Sequence, residues 1–473
     1  MDQKILSLRP LLGAFPVILL GFAILSGLVF FANPAPSRAQ KAETGEQFTK
    51  ALGVPVPPQY QIVDIGIVQA GDTASQGFGV STGGVAVGRS VRTGGAQAFT
   101  WTQGGGIVGL PNLAGRPFCV ANGAHTEGFV TIVGTCATTL FGTGRLPVVW
   151  FDTGQVAQLT LPGGETLGDA NDTNSTGYAV GSVDSGSSQQ AVIYFGANVT
   201  VITQTTSTGC FFVTAFGIND SGRVVGQGID PNNAARNVGI YFDRGGSTAF
   251  EVGALPGANG ALAFGISNAG HIVGSSMMNQ GSGLPFIWTP TGGIAAIPLP
   301  VGTSQGSARA VNSNGWAVGT ASSAFAIPFL YDGVNTHRLA DLIPGGTGWD
   351  LSTNTSSAAL GISNNNVIVG TGVLNGAVHA FAMIPVANTS VGGRVLTAGG
   401  AGIGNARVTI SGGNLLSPVT VQTSPFGWYN FPGLQAGATF TITVQSKKAS
   451  FAQPTRQVTP GGNITNFDFT ADP

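Results

Sequence analysis

The sequence predicts an all-β protein: a seven-bladed β-propeller followed by a small β-sandwich, behind an N-terminal hydrophobic export or anchor segment. Three observations carry that prediction. Gly accounts for 75 of 473 residues and Pro for 26, while Asp, Glu, Lys and Arg together make 8 %, against roughly 25 % in ordinary globular chains. So many breakers and so few charges exclude long amphipathic helices and coiled coils, which need charged exposed faces. A hydrophobic fraction of 42 % separates the chain from disordered ones. Third, an apolar motif ending in Gly recurs seven times before the C-terminal part of the chain. The formal net charge of −1 leaves no basic footprint for nucleic acid.

The N-terminal element comes first. Lys4 and Arg9 precede an apolar stretch over 11–32, and Ser37 and Ala39 then stand in the spacing of a signal-peptidase site. Residues 1–39 are a signal peptide cut after Ala39 or, because 22 apolar residues can span a bilayer, an uncut anchor. Either outcome puts the rest of the chain outside the cytoplasm, extracellular or at the cell surface, with the membrane engaged only through this segment. Residues 40–58 read as a linker.

The array follows over 59–385. Its motif is Ala86-Val87-Gly88, Ile132-Val133-Gly134, Ala179-Val180-Gly181, Val224-Val225-Gly226, Ile272-Val273-Gly274, Ala317-Val318-Gly319 and Ile368-Val369-Gly370. The glycines are 46, 47, 45, 48, 45 and 51 residues apart. Each unit opens with a small-residue strand, such as Ala215-Phe216-Gly217-Ile218 or Ala263-Phe264-Gly265-Ile266. A turn such as Asn219-Asp220-Ser221-Gly222 supplies the residue types a tight hairpin demands. The motif strand comes next, then an aromatic strand such as Ile240-Tyr241-Phe242, then a fourth strand of alternating pattern. Four short antiparallel strands per unit of about 47 residues are the signature of a propeller blade. Trp101, Trp150, Trp288, Tyr194, Tyr241 and Tyr331 share one blade position and read as inter-blade packing. The seventh unit ends at Phe381 without a fourth strand, and the segment beginning at Tyr60 matches the missing one. Pairing these two segments closes the ring and removes its exposed edge.

With its turn, Val-Val-Gly strand and His379-Ala380-Phe381, this pattern resembles the HAF-repeat extracellular proteins of bacteria. Gln97-Ala98-Phe99 is a near match, while Leu284-Pro285-Phe286 and Ile327-Pro328-Phe329 depart from the triplet. The resemblance implies export and a propeller-like fold, and it brings no catalytic motif.

Residues 386–390 form a short linker, and 391–473 read as about seven short strands, a β-sandwich. The progression from Gly393-Arg394-Val395 through Asn405-Ala406-Arg407-Val408 and Phe426-Gly427-Trp428-Tyr429-Asn430-Phe431 to Leu434-Gln435-Ala436-Gly437 resembles the carboxypeptidase regulatory-like domain. That resemblance implies a non-catalytic accessory module, grouped with carbohydrate-binding-like folds. Trp428 and Tyr429 read as core rather than as a sugar platform.

Two readings of the cysteines stay open. Cys119 and Cys136 bracket one predicted hairpin, either as a cross-strand bridge or as two unpaired small apolar side chains, with Cys210 left over as a buried thiol.

The search for chemistry finds no catalytic residue, metal site or cofactor motif. His125, His271, His337 and His379 fall in separate units, without ligand spacing. The oxygen-rich string from Asp172 to Gly177 lacks a second carboxylate and has Val183 where a calcium loop needs Glu, so it reads as a hairpin turn. The residue after each hairpin turn is Val85, Thr131, Tyr178, Arg223, His271, Trp316 and Val367. Equivalent positions in a closed ring lie on one circle, so Tyr178, Arg223, His271 and Trp316 form the candidate binding patch; those residue types are common in recognition surfaces. Trp349, in the 345–357 segment, is a second loop candidate.

The leading expectation is an exported, non-enzymatic, monomeric surface or secreted protein whose propeller binds a glycan or protein ligand. One alternative is a polysaccharide-active propeller using carboxylates such as Glu165 and Asp169, which would have to converge in one pocket. The other is a structural cell-surface spacer.

Overall fold

The computed structural model describes residues 57–473 except 127–130, 141, 152–153, 185–188, 279–281, 414 and 416. The export or anchor segment and the linker up to residue 56 lie outside the described residues. Among the described residues the array forms seven blades of four antiparallel strands, the seventh with an added two-residue strand, Trp349–Asp350, and blades 1 and 2 are joined by a single parallel bridge, Ala96 to Phe118.

Blade 1 runs outward as Ala74–Val80, Ala86–Arg92, Gly95–Thr102 and Gly106–Gly109. Blade 4 repeats the plan as Phe211–Ile218, Arg223–Asp230, Asn233–Asp243 and Ala249–Glu251. The first strands of blades 2, 3, 5 and 6 are Phe118–His125, Leu167–Thr173, Gly260–Ile266 and Gln305–Val311. Blade 7 holds Ala358–Ile362, Ile368–Leu374 and Ala377–Pro385, and Tyr60–Asp64 completes it. That closing strand pairs Tyr60 with Pro385 and Asp64 with Phe381. The Asp64 carboxylate also meets His379 Nδ1 at 2.9 Å, and Tyr60 is buried. The expected closure is therefore present, and the chain's two ends of the array share one sheet.

The repeated glycine has a specific cause. In every blade the first strand carries a β-bulge, and the motif Gly faces the residue just before it, as Gly274 faces Ala263 and Gly226 faces Ala215. A Cβ on Gly274 would fall 1.8 Å from the Leu262 carbonyl oxygen. At Gly88, Gly134, Gly181, Gly226, Gly319 and Gly370 the same clash lies between 1.8 and 2.1 Å. The obstacle is backbone, so no side-chain adjustment relieves it. The period read from the sequence is the period of this close approach.

Hairpin tips explain the other recurrent residues. Asn219 Oδ1 accepts from the Arg223 N–H within its own turn (2.9 Å), while its Nδ2 donates to the Ser267 carbonyl of the next blade (3.2 Å). Asn174 does the same toward Asn219, and Asn312 toward Ser363. The tip Gly222, at φ +83°, takes the left-handed conformation that the turn requires. One side chain thus shapes its hairpin and ties two blades.

The apolar core lies between blades. Val87 and Ala98 of blade 1 pack with Ile132, Val148 and Trp150 of blade 2, and Val180 and Ile193 of blade 3 with Val224 and Ile240 of blade 4. Tyr241 and Trp288 meet at 5.3 Å between blades 4 and 5. In blade 2 Cys119 and Cys136 stand opposite each other and form a disulfide; Cys210 is a buried free thiol.

After Pro385 the chain builds two sheets. Asn388–Leu396 lies between Trp428–Gln435 and the parallel Phe469–Thr470. The second sheet runs Val419–Gln422, Arg407–Gly412, Phe440–Gln445, Thr455–Val458. Val391, Val408, Ile410, Tyr429, Phe431, Phe440, Ile442 and Phe469 fill the space between them.

Candidate functional site: the central channel

The bulge that explains the glycine also builds the site. Two residues on the first strand oppose one on the second, so the extra residue is unpaired and re-aimed. Around the ring that residue is Phe78, Asn122, Asn171, Phe216, Phe264, Arg309 and Leu360. All seven line one central cavity of about 350 Å³. Its mouth is formed by tip residues, among them Thr82, His125, Asp220, Asn268 and Asn364.

The lining is two-sided. On one flank Phe216 and Phe264 have ring centroids 5.5 Å apart, and the Arg309 guanidinium sits 4.1 Å over the Phe264 ring. Arg309 opens to the lumen; among the described residues neither a carboxylate nor a hydrogen-bond acceptor engages its guanidinium. Desolvation by the surrounding wall lowers its pKa, and the group stays charged, as arginine does. On the other flank Asn122 Nδ2 donates to the Ala170 carbonyl and Asn171 Nδ2 to the Ala215 carbonyl, both at 2.9 Å. Each Oδ1 is left as the accepting group.

Asp172 is the exception at its position. The residue after the bulge is Gly79, Gly123, Gly217, Gly265, Ala310 and Gly361 in the other blades. The Asp172 carboxylate fits between Gly123 and Gly217, accepting from the Thr173 N–H at 2.8 Å and from the Ile218 N–H of blade 4 at 3.0 Å. Desolvation by the channel wall raises its pKa to about 7; the two N–H groups oppose this and the Asp220 carboxylate adds to it. Asp220 is shifted the other way: its partial burial is outweighed by bonds from Ser175 and Asn268 and by His125, 3.6 Å away.

The residues singled out in the sequence fall elsewhere. Tyr178, Arg223, His271 and Trp316 stand at or just before the start of second strands, beside the tips. A Cβ on Gly270 would lie 3.8 Å from Arg223, and one on Gly315 3.5 Å from His271, so the circle is followed from blade to blade. The functional groups of three of them are engaged, whereas His271 Nδ1 is buried without a hydrogen-bond partner among the described residues. Tyr178 stacks on Phe195 at 4.3 Å and lies under Arg244, which bonds its hydroxyl. Arg223 makes a two-pronged ion pair with Asp243 (2.6 and 3.0 Å) and covers Tyr241. Trp316 packs on the blade 6–7 core.

Trp349 does not join them. It pairs with Leu374, the far end of the second strand of blade 7, and packs edge-on against Phe381 at 5.9 Å. It belongs to the opposite end of the blade, a correction to its reading as a loop candidate. Nor do the two carboxylates converge in the channel. Asp169 accepts from Arg145 (2.7 Å) and Thr135 (3.0 Å) between blades 2 and 3, and neither it nor Glu165 lines the cavity. Tyr429 is core, as expected, but Trp428 is not: it points away, half-exposed, with Arg394 5.1 Å over its ring. Among the described residues no cluster of three metal-ligating side chains occurs.

The bulge residues were missed because the strand was read as a constant element. Superposing the seven units shows one position that changes in chemistry between small, nearly invariant neighbours, and that was the available signal.

No protein-family model and no curated protein sequence matches this chain. Among solved structures it is similar to YCF48 bound to a D1 peptide, at 11 % identity and TM-score 0.40, covering 71 % of this chain and 98 % of that one. It is similar also to a streptogramin B lyase, at 12 % and 0.41, covering 69 % and 98 %. A Trypanosoma rangeli sialidase in complex with the inhibitor DANA gives 8 % and 0.37, covering 84 % and 89 %.

Proposed function

We propose that this is an exported, non-enzymatic bacterial surface or secreted protein whose propeller is a rigid binding scaffold, with the ligand held in the central channel. The observation that carries this reading is the contrast at the bulge. Seven equivalent residues share one backbone geometry and one cavity, yet differ as Phe, Asn, Asn, Phe, Phe, Arg and Leu, between neighbours that hardly vary. A spacer needs no such cavity. Export is supported by the hydrophobic segment over 11–32 and by the disulfide, which belongs in an oxidising compartment. The motif resemblance to HAF-repeat proteins, and of the C-terminal module to the carboxypeptidase regulatory-like domain, points the same way. The sandwich is then an accessory module, with Trp428 as a partly exposed ring.

A glycan array probed with the exported chain tests the scaffold reading. Retention by the wild type and loss in Phe216→Ala and Phe264→Ala, with each variant still folded and losing less than about 1 kcal/mol of stability, is the expected result. Retention that survives both but is lost in Arg223→Ala and Trp316→Ala moves the site to the tips. Retention lost only in Trp428→Ala moves it to the sandwich and overturns the channel reading. Sequencing the N-terminus of the exported product decides between cleavage after Ala39 and anchoring.

A further inference from the structure

Resting on the scaffold reading, the geometry points to an acidic saccharide as the channel's ligand class: a uronic-acid sugar whose carboxylate meets Arg309 while its ring lies on Phe264 and Phe216. The argument begins with Arg309. Buried charges are usually paired, because an unpaired one is costly to desolvate, whereas Arg309 is exposed within the channel and keeps its charge with no carboxylate beside it among the described residues. Three partly buried arginines hold carboxylates: Arg145 holds Asp169 and Asp184, Arg223 holds Asp243, and Arg236 holds Asp230 and Glu251, while the desolvated Arg89 bonds Gln76 Oε1 at 2.8 Å. Arg309 instead rests on an aromatic ring, its planar fork open to the lumen. That arrangement fits a carboxylate supplied from outside, bound in two-pronged fashion.

The Phe pair narrows the class. A carboxylate alone needs no aromatic floor. A pyranose has an apolar C–H face, and two half-exposed rings 5.5 Å apart beside the guanidinium offer it a matching surface. The opposite flank supplies the complement, with Asn122 and Asn171 Oδ1 and the Asp172 carboxyl as acceptors for sugar hydroxyls. Arg309 and Asp172 belong to blades 6 and 3, on opposing sides of the lumen, so a ligand carrying an anion at one end and hydroxyl donors at the other has one orientation. The cavity, about 350 Å³, lies at the small end of ligand sites, which run from roughly 300 to 1,000 Å³. A mono- or disaccharide unit is the fitting size, which a longer chain could present at the mouth.

Titration calorimetry of the full chain with digalacturonate, with neutral galactobiose and with an N-acetylated diglutamyl peptide tests the assignment. The expected result is preferential binding of digalacturonate. Arg309→Gln weakens it about 10- to 100-fold, the cost of one charge-assisted contact, and leaves melting unchanged. Arg309→Lys, which keeps the charge but loses the fork, recovers part of the affinity. Galactobiose binding as tightly, lost in Phe264→Ala and indifferent to Arg309→Gln, overturns the acidic class and leaves the scaffold reading standing. Peptide binding through Arg309 without sugar binding replaces a saccharide by a peptide carboxylate and also overturns it. Absence of digalacturonate binding to the folded wild type overturns it outright, while the scaffold reading is decided by the array.

Discussion

Two rings of side chains surround the axis of this propeller, a few residues apart in every blade, and they differ in whether their bonding capacity has been used. The outer ring holds Tyr178, Arg223, His271 and Trp316, types that recognition surfaces favour. Yet Tyr178 is held between Phe195 and Arg244, Arg223 is paired with Asp243 and Trp316 is packed; the exception is His271, whose Nδ1 is buried without a hydrogen-bond partner among the described residues. The inner ring is chemically plainer, but Arg309 has no acceptor among the described residues and the Phe216–Phe264 pair lines the cavity. The difference teaches that residue type proposes a site, and what remains unsatisfied selects it.

The most damaging way to break the comparison is to remove the bulge on which the inner ring depends. In Gly274→Ala the new Cβ would stand 1.8 Å from the Leu262 carbonyl oxygen. Backbone must shift, the bulge at Phe264 cannot persist, and a loss of more than about 3 kcal/mol is expected by chemical denaturation. A stable Gly274→Ala protein with intact ligand binding would refute the link between the motif glycine and the channel. The disulfide acts on a single blade. Replacing Cys119 and Cys136 by Ser, across a separation of 17 residues, is expected to cost about 3 kcal/mol, with wild type under reducing conditions matching the variant. Because neither sulfur reaches the cavity, affinity measured well below the melting point stays unchanged.

Why the outer ring was legible in the sequence and the inner one was not follows from these same features. The Val-Val-Gly strand, the turn with its Asn and Gly, and the missing fourth strand of blade 7 are written in residue identity. Each is enforced locally, by a carbonyl too close for a Cβ, by an Asn that caps its own hairpin, or by β pattern. A bulge is a matter of counting residues against a partner strand, and Phe264 looks like any strand residue until its register with Val273 and Gly274 is known. Trp349 was misplaced for a related reason. A two-residue strand, Trp349–Asp350, is too short to show a pattern, and the loop-like composition around it hides the packing on Phe381. Asp169 reads as an available carboxylate only until Arg145, 24 residues away in sequence, is brought to it by the pairing of blades.

The comparison is sharpened by one substitution in each ring. Trp316→Ala removes a half-buried ring from the blade 6–7 core and is expected to cost about 2 kcal/mol while leaving channel affinity alone. Phe264→Ala should cost less than about 1 kcal/mol, the worth of an aromatic pair at a partly open site, and abolish channel binding. Calorimetric melting and titration of both proteins give the crossed pattern if the two rings divide stability from recognition. Parallel losses in both would merge them.

The smallest effect belongs to pH and isolates Asp172. Its carboxyl titrates near 3.8 in the unfolded chain and is raised to about 7 in the folded one. The folded state therefore holds the proton more tightly, so this group's contribution is fully present below about pH 4 and is lost as pH rises through 7. Denaturation midpoints should accordingly fall between pH 5.5 and 7.5, with a slope below about 1.4 kcal/mol per pH unit, the one-proton limit, because the lumen-facing side of the group is screened by solvent. Asp172→Asn, which stands in for the protonated acid and keeps one acceptor for the Thr173 and Ile218 N–H groups, should flatten the slope. An equally steep slope in the variant would assign the titration to another group and leave the Asp172 carboxylate ionised on the channel wall.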